Sequence, residues 1–273
     1  MTGVAAIAPR ARFLDLVAAE WLKLRSLRST RWVLGLATLA VVAINVNSAA
    51  DGYRDWPRMA AQGGWIDPHG FAFTNNAAGI LMLAAGCVGA VSIVGEYGTG
   101  LIRVTFAAVP NRLAVVAAKA CVLAAVFAVV GAVVAVSSFV AAQSILDGRG
   151  VEMSLLDLRS ARATAGTALL PVVSALTGLG VGAVLRHTAA AIAVTGGVLL
   201  ILPTFFNPNL ENELPARIAA LMPTEAWSRL IHSVTVYNPE RYPPTVAGSW
   251  LVYLGWSAAG IAAAGLLVRV REP

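Results

Sequence analysis

The chain has 273 residues, of which 58% are hydrophobic and only 12% are charged, and its mean hydropathy is +0.74. Soluble domains carry roughly 25% charged residues, so this composition excludes an ordinary soluble domain and indicates an integral membrane protein. The chain is also basic, with a net charge of +6. Membrane topology accounts for that charge, as described below, and it gives no reason to expect a nucleic-acid partner.

Residues 1–31 precede the apolar part of the chain and contain a predicted amphipathic helix at 13–28. Its apolar positions share one face, and such a helix is expected to lie in the membrane interface before the chain turns inward. Four of its residues would anchor it there, Trp21, Lys23, Arg25 and Arg28. Two alternatives stay open: a basic flank that only sets topology, and a cleaved leader that ends near Ala49.

Residues 32–273 are predicted to form one transmembrane domain of six helices. Each apolar run is long enough to cross a bilayer of about 30 Å, whereas strands of a membrane barrel are about half that length and alternate in polarity. The predicted fold class is therefore an all-α integral membrane protein. The spans are expected at 32–50, 76–94, 113–142, 161–185, 189–206 and 248–268.

The basic residues predict the orientation of the spans. Six spans place both termini on one side with the connections 95–112 and 186–188, and that side carries twelve basic and four acidic residues. The other side carries eight basic and ten acidic residues. Positively charged connections favour the cytoplasm, so we predict cytoplasmic termini and external connections at 51–73, 143–160 and 207–247.

The external segment 207–247 is not featureless. Its apolar positions are interrupted by Pro215 and Pro223. We therefore predict two short helices that dip toward the outer leaflet.

The connection 95–112, which reads GEYGTGLIRVTFAAVPNR, brings charge, glycine and proline between two apolar runs. Gly100 and the glycines before it permit a tight turn. Thr99 is placed to cap a short helix at 100–108, which Pro110 ends. We therefore predict a short helix on the cytoplasmic membrane surface that carries three charged residues, Glu96, Arg103 and Arg112.

The fourth span carries small and hydroxyl residues on one helical face. Thr164, Thr167 and Ser174 align there, and Gly178 and Gly182 have the spacing that lets two helix backbones approach closely. This face either lines a transport pathway or packs against protein. Close packing within the chain is favoured over a dimer seam.

The sequence predicts neither a catalytic site nor a metal site. His69, His187 and His232 fall in separate connections, two external and one cytoplasmic, so they are not expected to converge on one metal. Both cysteines lie within apolar runs, as small packing residues do. The glycine spacing at 95–100 is not followed by the lysine and hydroxyl of a phosphate loop. The chain is therefore not expected to be an enzyme or to bind ATP by that route.

Two stretches carry a resemblance to a known family. AEWLKLRSLRSTRWV at 19–33 and EYGTGLIRVTFAAVPNR at 96–112 resemble the permease subunits of type-2 ATP-binding-cassette (ABC) exporters from high-GC Gram-positive bacteria. Six spans, internal termini and a long external segment before the last span also match that family. Asn111 departs from the pattern, because a second basic residue is expected before Arg112.

The resemblance implies a location, partners and roles. Residues 13–28 correspond to an elbow helix, 96–108 to a coupling helix that rests on a separate ATPase, and 207–247 to re-entrant helices. It implies a bacterial cell membrane, surrounding lipid, and a second permease copy as homodimer or heterodimer. This chain would hold no cofactor, since ATP and Mg bind the ATPase, and the exporter would move an amphipathic or hydrophobic substrate outward. The implied ATPase-coupling residues are Glu96, Tyr97, Gly98, Thr99, Gly100, Arg103, Pro110 and Arg112.

Two other classes stay open. A partner-independent secondary transporter or channel needs coupling-ion ligands within the membrane, and no acid or base inside the predicted spans marks an ion path. A membrane anchor that recruits a soluble protein predicts a partner bound at 95–112 and no transport.

Overall fold

We describe a computed structural model that covers residues 12–63, 66–206, 213–232 and 245–270. These residues form eleven α-helices, and no strand occurs in these ranges. The helices are α1 (Phe13–Ser26), α2 (Arg28–Ala61), α3 (His69–Ala72), α4 (Asn75–Gly98), α5 (Leu101–Ala108), α6 (Arg112–Leu146), α7 (Leu158–Leu185), α8 (Thr188–Gly196), α9 (Glu213–Ala220), α10 (Pro223–Ile231) and α11 (Val246–Val270). After α8 the chain continues through a π-helical turn, Gly197–Ile201, and a 3₁₀ turn, Leu202–Phe205.

Six helical stretches are long and apolar enough to cross a membrane: α2, α4, α6, α7, the stretch Thr188–Phe205 and α11. The predicted fold class, an all-α membrane protein with six spans, is thereby confirmed. We call the end of the helix bundle that holds α1, α5 and the turn after α7 the near face. The opposite end, which holds α3, α10 and the connection between α6 and α7, is the far face.

The helix α7 lies at the centre of the bundle, where it packs against α4, α6 and α11. Among the 18 most apolar consecutive residues of each helix, 67% are buried in α7 and 61% in α4. The corresponding share is only 17% in α2 and 17% in Thr188–Phe205. The core is therefore built on α4 and α7. The first and fifth spans leave most of their apolar surface for lipid or for another protein.

Glycines allow α4 and α7 to pack closely. A Cβ atom at Gly178 would overlap the backbone of Gly86, and one at Gly182 would overlap the backbone of Ala90. The backbones can approach because neither glycine carries a side chain, and close approach increases dispersion contacts. The predicted glycine pair thus packs within the chain, against α4.

A buried amide links three helices in the half of the bundle nearer the far face. Asn45 of α2 is 1% exposed, and its Nδ2 donates a hydrogen bond to Ser138 Oγ of α6 at 3.0 Å. Its Oδ1 accepts from the backbone N–H and the hydroxyl of Thr74, at 3.1 and 3.0 Å. Thr74 also caps the start of α4 by accepting from Ala77 N. Each buried polar group in this set therefore has a partner.

Several helices extend further than the sequence predicted, among them α2, α4 and α6. Residues 51–61, predicted as external loop, continue α2 to Ala61, and an ion pair between Arg54 and Asp51 at 2.8 Å stabilises this exposed part. Residues 95–98, predicted as the start of a turn, continue α4 to Gly98. In both places hydropathy marks where the apolar residues end, whereas helical hydrogen bonding continues into polar sequence.

Among the described residues of segment 207–247 lie two short helices, α9 and α10, as predicted. Trp227 of α10 is 2% exposed, and its Nε1 donates to Thr167 Oγ1 of α7 at 3.2 Å. This contact attaches α10 to the central helix. The remaining parts of the predicted terminal and external segments, 1–11, 64–65, 207–212, 233–244 and 271–273, lie outside the described residues.

Candidate functional site

The helix α1 at the near face has one buried and one exposed side. Its first turn is closed by Asp15, whose Oδ2 accepts the Arg12 N–H at 2.9 Å. Glu20 is buried, four residues before the buried Leu24, and α1 packs against α6. Trp21 is 46% exposed. A helix with exposed apolar side chains beside buried ones suits the membrane interface.

Four charged side chains from three helices meet beneath α1, and we call them the charge cluster: Glu20 and Lys23 of α1, Glu96 of α4 and Lys119 of α6. Lys119 Nζ donates to Glu20 Oε2 at 2.5 Å and to Glu96 Oε1 at 2.8 Å. Lys23 Nζ donates to Glu20 Oε1 at 2.6 Å and to Glu96 Oε1 at 2.9 Å. Each amino group therefore bridges both carboxylates.

The charge cluster is neutral and largely removed from solvent. The exposed fractions are 5% for Glu20, 7% for Glu96 and 5% for Lys119. Lys119 donates its third hydrogen bond to Ser92 O at 3.2 Å. Buried charges persist when they are paired and hydrogen-bonded, and they become costly when one partner is removed. The charge cluster thus holds α1 in a defined position on α4 and α6.

Lys23 lies at the solvent edge of the charge cluster, with 30% of its side chain exposed. Burial by itself lowers the pKa of Lys23, but the hydrogen bonds and charges of Glu20 and Glu96 outweigh it and hold that pKa above its ordinary value. Lys23 is therefore cationic at neutral pH.

A cavity of about 320 Å³ opens beside the charge cluster, between α1, α4 and α6. All four residues of the charge cluster line this cavity, and the remaining wall is mainly apolar, with Leu24, Leu27, Val91, Val122 and Leu123. A cavity whose wall combines apolar side chains with a group of charged side chains fits an amphipathic molecule.

The helix α5 lies between the second and third spans at the near face. Gly100 precedes it with a φ of 69°, a left-handed conformation that glycine adopts without strain. Ile102 is buried, whereas Arg103 is exposed and Val104 is 66% exposed. This exposed side of α5 faces away from the described chain. It is therefore a surface that another molecule can contact.

Two arginines fix the neighbourhood of α5. The Arg112 guanidinium lies 5.2 Å from the ring centroid of Phe106, and its Nη1 donates to Val268 O at 3.1 Å. The Arg186 guanidinium lies 4.4 Å from the ring centroid of Tyr97, at the end of α4. Such cation–π contacts are favourable. They attach α5 to α11, and α4 to the turn after α7.

Two details predicted for the connection 95–112 are wrong. Glu96 lies in α4 and Arg112 begins α6, so of the three predicted charged residues α5 carries Arg103. Thr99 does not cap α5 but ends α4, where its Oγ1 donates to the carbonyl oxygen four residues earlier at 2.9 Å. The physical reason is that α4 stays hydrogen-bonded until Gly100 takes its left-handed conformation.

The predicted elbow residues divide into two groups. Lys23 joins the charge cluster, whereas Trp21, Arg25 and Arg28 are exposed. Among the other predicted contact residues, Tyr97 is half-buried beneath Arg186. These positions separate residues that hold α1 in place from residues that face outward.

The predicted hydroxyl face of the fourth span is buried. Thr167 and Ser174 are 3% and 0% exposed, and the Ser174 hydroxyl donates to Leu170 O within α7. Thr164 Oγ1 is buried without a hydrogen-bond partner among the described residues. This face packs against protein in the described chain.

Glu20 and Lys119 were not predicted as site residues from the sequence. Glu96 lies near the end of α4 and pairs with Lys119 of α6, so a buried acid and a buried base meet between the helices of the second and third spans. One signal was present: Lys119 is the lone charge in the run 113–142, and such a residue needs a partner. The identity of that partner required the structure.

Two of the three histidines lie close together although their connections are separate in sequence. His69 and His232 come together at the far face, where both contact Asp67, at 3.2 and 3.3 Å. Their connections are separate in sequence, but the spans bring the ends of those connections to one place.

No protein-family model matches the chain, and none of the curated proteins matches it significantly. The class of protein is therefore defined by the fold and the site. It is a multi-pass, all-α membrane protein with six candidate spans and a buried charge cluster between α1, α4 and α6.

Proposed function

We propose that the chain is the membrane-spanning permease subunit of an ABC exporter, in which a separate ATPase supplies energy by hydrolysing ATP. The observation that carries this proposal is α5, a short helix with exposed Arg103 and Val104 at the near face, joined directly to two spans. A soluble protein bound to that surface could move both spans. In this proposal the near face is cytoplasmic, which agrees with the twelve basic residues on that side.

The charge cluster supplies a path by which movement of α5 reaches the rest of the bundle. Displacement of α5 would tilt α4 and α6, which it connects. Since Glu20 binds Lys119 and Lys23 binds Glu96, α1 would follow both helices. The close backbone contact between α4 and α7 would carry the movement to the central helix. Access to the two membrane faces would then alternate with the ATPase cycle.

Exposed apolar surface supports a second permease copy in the assembly. Only 17% of the 18 most apolar consecutive residues are buried in the first span, and the same share is buried in the fifth. A second copy, identical or different, would cover part of this surface and enclose a pathway with it. The scarcity of charge in the spans favours an amphipathic or hydrophobic substrate.

The test is co-expression of the full chain with a candidate ABC ATPase, chosen as an adjacent open reading frame with a phosphate-loop lysine motif. The double variant Arg103→Glu/Val104→Asp changes two exposed positions of α5, so the fold is expected to stay intact. We expect the variant to lose co-purification with the ATPase and stimulation of ATP hydrolysis. The matched control is Arg54→Glu on the exposed far-face end of α2, which is expected to retain both. Equal co-purification of wild type and double variant would refute α5 as the contact surface.

A partner-independent secondary transporter is the second candidate, and the pairing of Glu96 with Lys119 favours it. Both residues belong to predicted or observed membrane helices, and buried ion pairs there can carry a proton. In proteoliposomes without an ATPase, this candidate predicts transport of an amphipathic dye driven by a proton gradient and abolished by Glu96→Gln. Transport that requires ATP and the ATPase would exclude it, and a membrane anchor would show no transport under either condition.

A further inference from the structure

A serine, a histidine and an aspartate are hydrogen-bonded in series at the far face. Ser160 Oγ lies 3.0 Å from His69 Nε2, and His69 Nδ1 lies 3.2 Å from Asp67 Oδ1. Ser160 is the third residue of α7, and His69 is the first residue of α3. The folded chain therefore brings together residues 91 positions apart.

The partners of the His69 ring assign its proton. The Asp67 carboxylate can only accept a hydrogen bond, so Nδ1 carries the hydrogen and Nε2 presents a lone pair to the Ser160 hydroxyl. Asp67 Oδ1 also accepts the backbone N–H of His69 at 3.1 Å, and its Oδ2 lies 3.3 Å from Nδ1 of His232. The carboxylate is thus fixed from two sides. This is the arrangement in which a histidine can take a proton from a serine.

The three residues line a cavity of about 580 Å³ at the far face. Ser160 is 1% exposed and His69 is 6% exposed, so both are buried in the cavity wall. The other ionisable groups in the wall are three carboxylates and one guanidinium, Asp147, Glu152, Asp157 and Arg159. The excess of carboxylates favours a neutral or cationic ligand over an anionic one.

Backbone donors are available beside Ser160. Asp157 is the N-cap residue of α7, but its side chain accepts no hydrogen bond from the first turn of the helix. The first backbone N–H that donates to the Asp157 carbonyl oxygen is that of Ala161. Among the described residues, no acceptor contacts the amides of residues 158–160. Unpaired amides at the start of a 28-residue helix present partial positive charge. Such donors can stabilise an oxyanion that forms next to Ser160.

We propose that Ser160, His69 and Asp67 form an acyl-transfer site at the far face that hydrolyses a neutral or cationic ester. Ser160 Oγ attacks the ester carbonyl carbon while His69 Nε2 takes the hydroxyl proton, and the amides at 158–160 bind the carbonyl oxygen. The carbon–oxygen bond to the alcohol breaks, and His69 returns the proton to the leaving alcohol. Water then attacks the acyl-serine with His69 as base, releases a carboxylic acid and restores Ser160. Asp67 keeps the proton on Nδ1 throughout and is a positioning residue.

The test uses a fluorophosphonate probe on the purified full-length chain, followed by mass spectrometry of the modified peptide. Phosphonylation requires an activated serine. It needs no ATPase, so its outcome is independent of the proposed transport function. We expect the probe on Ser160 of the wild type and no probe on Ser160→Ala. Ser154→Ala is the matched control, because Ser154 lines the same cavity but its Oγ accepts the Leu156 N–H.

The histidine and aspartate are tested by His69→Gln and Asp67→Asn, each compared with wild type in labelling rate. General-base assistance contributes roughly 10²–10⁴-fold, so we expect each variant to label at least tenfold more slowly. Gel filtration establishes whether each variant is folded. If one of the two variants is not folded, the labelling rate of the other tests the proposal. The proposal would be overturned if Ser160 of the folded wild type is not labelled. It would also be overturned if the labelling rate falls by less than tenfold in every folded variant. The charge preference is tested with 4-nitrophenyl esters, where faster hydrolysis of an anionic than of a cationic acyl group would overturn the assigned substrate class.

Discussion

Replacing Lys119 by methionine tests whether the charge cluster stabilises the fold. Methionine keeps most of the length of the side chain but removes the amino group that bonds Glu20 at 2.5 Å and Glu96 at 2.8 Å. The charge cluster would change from neutral to a net charge of −1, with two carboxylates that share Lys23 alone. Both carboxylates are less than a tenth exposed, so water can compensate little.

The expected cost follows from that geometry. Removing one partner of a buried ion pair costs about 3–5 kcal/mol, since it leaves an uncompensated buried charge. At roughly 2–4 °C per kcal/mol for a chain of this size, the melting temperature should fall by roughly 6–20 °C. Adding Glu20→Gln to Lys119→Met restores neutrality. The double variant should therefore be more stable than the single one.

The assay is thermal unfolding of the detergent-solubilised chain, followed by intrinsic fluorescence. Lys23→Met is the matched control, because Lys23 bonds the same two carboxylates but is 30% exposed. Its melting temperature should fall by less than half as much as that of Lys119→Met. A fall below about 3 °C for Lys119→Met, or a double variant less stable than the single one, would refute the reasoning.

Three further predictions concern packing, hydrogen bonding and pH. Gly178→Val should lower stability by about 1–3 kcal/mol, because the valine side chain would overlap the backbone of Gly86. Gly35→Ala, at an open helical position, should raise stability by up to about 1 kcal/mol. Melting temperatures of both variants equal to that of the wild type would contradict both expectations. Asn45→Ala should cost about 1–3 kcal/mol, because it leaves buried hydrogen-bonding groups unpaired, and a neutral result in thermal unfolding would exclude a structural role for this amide. The folded-state pKa of Lys23 is raised, so its stabilisation is complete below the unfolded-state pKa of about 10.4 and is lost as pH rises through the folded-state pKa. Melting temperatures across that range should therefore fall more steeply for the wild type than for Lys23→Met, and parallel curves would count against this coupling.

The sequence was most informative where one local property decides the structure. The length of each apolar run predicts its span, so the six spans could be placed from hydropathy alone. Gly178 and Gly182 indicated close helix packing by their spacing, and the structure identifies α4 as the neighbour. Helix ends were less well predicted: α2 continues to Ala61 and α4 to Gly98, past the last apolar residues. Polar residues can continue a helix, and hydropathy does not show whether they are helical.

Tertiary structure decided which charged residues meet. Glu20 and Lys119 are 99 positions apart, and their contact depends on how α1 lies across α6. His69 and Ser160 likewise meet because α3 and the first turn of α7 lie at the same face of the bundle. By itself the sequence determined that this is a six-span, all-α membrane protein, since burying apolar residues in lipid is a property of each segment. The charge cluster and the far-face serine site depend on how helices pack, and a pairing between distant segments leaves no periodic signal in either one.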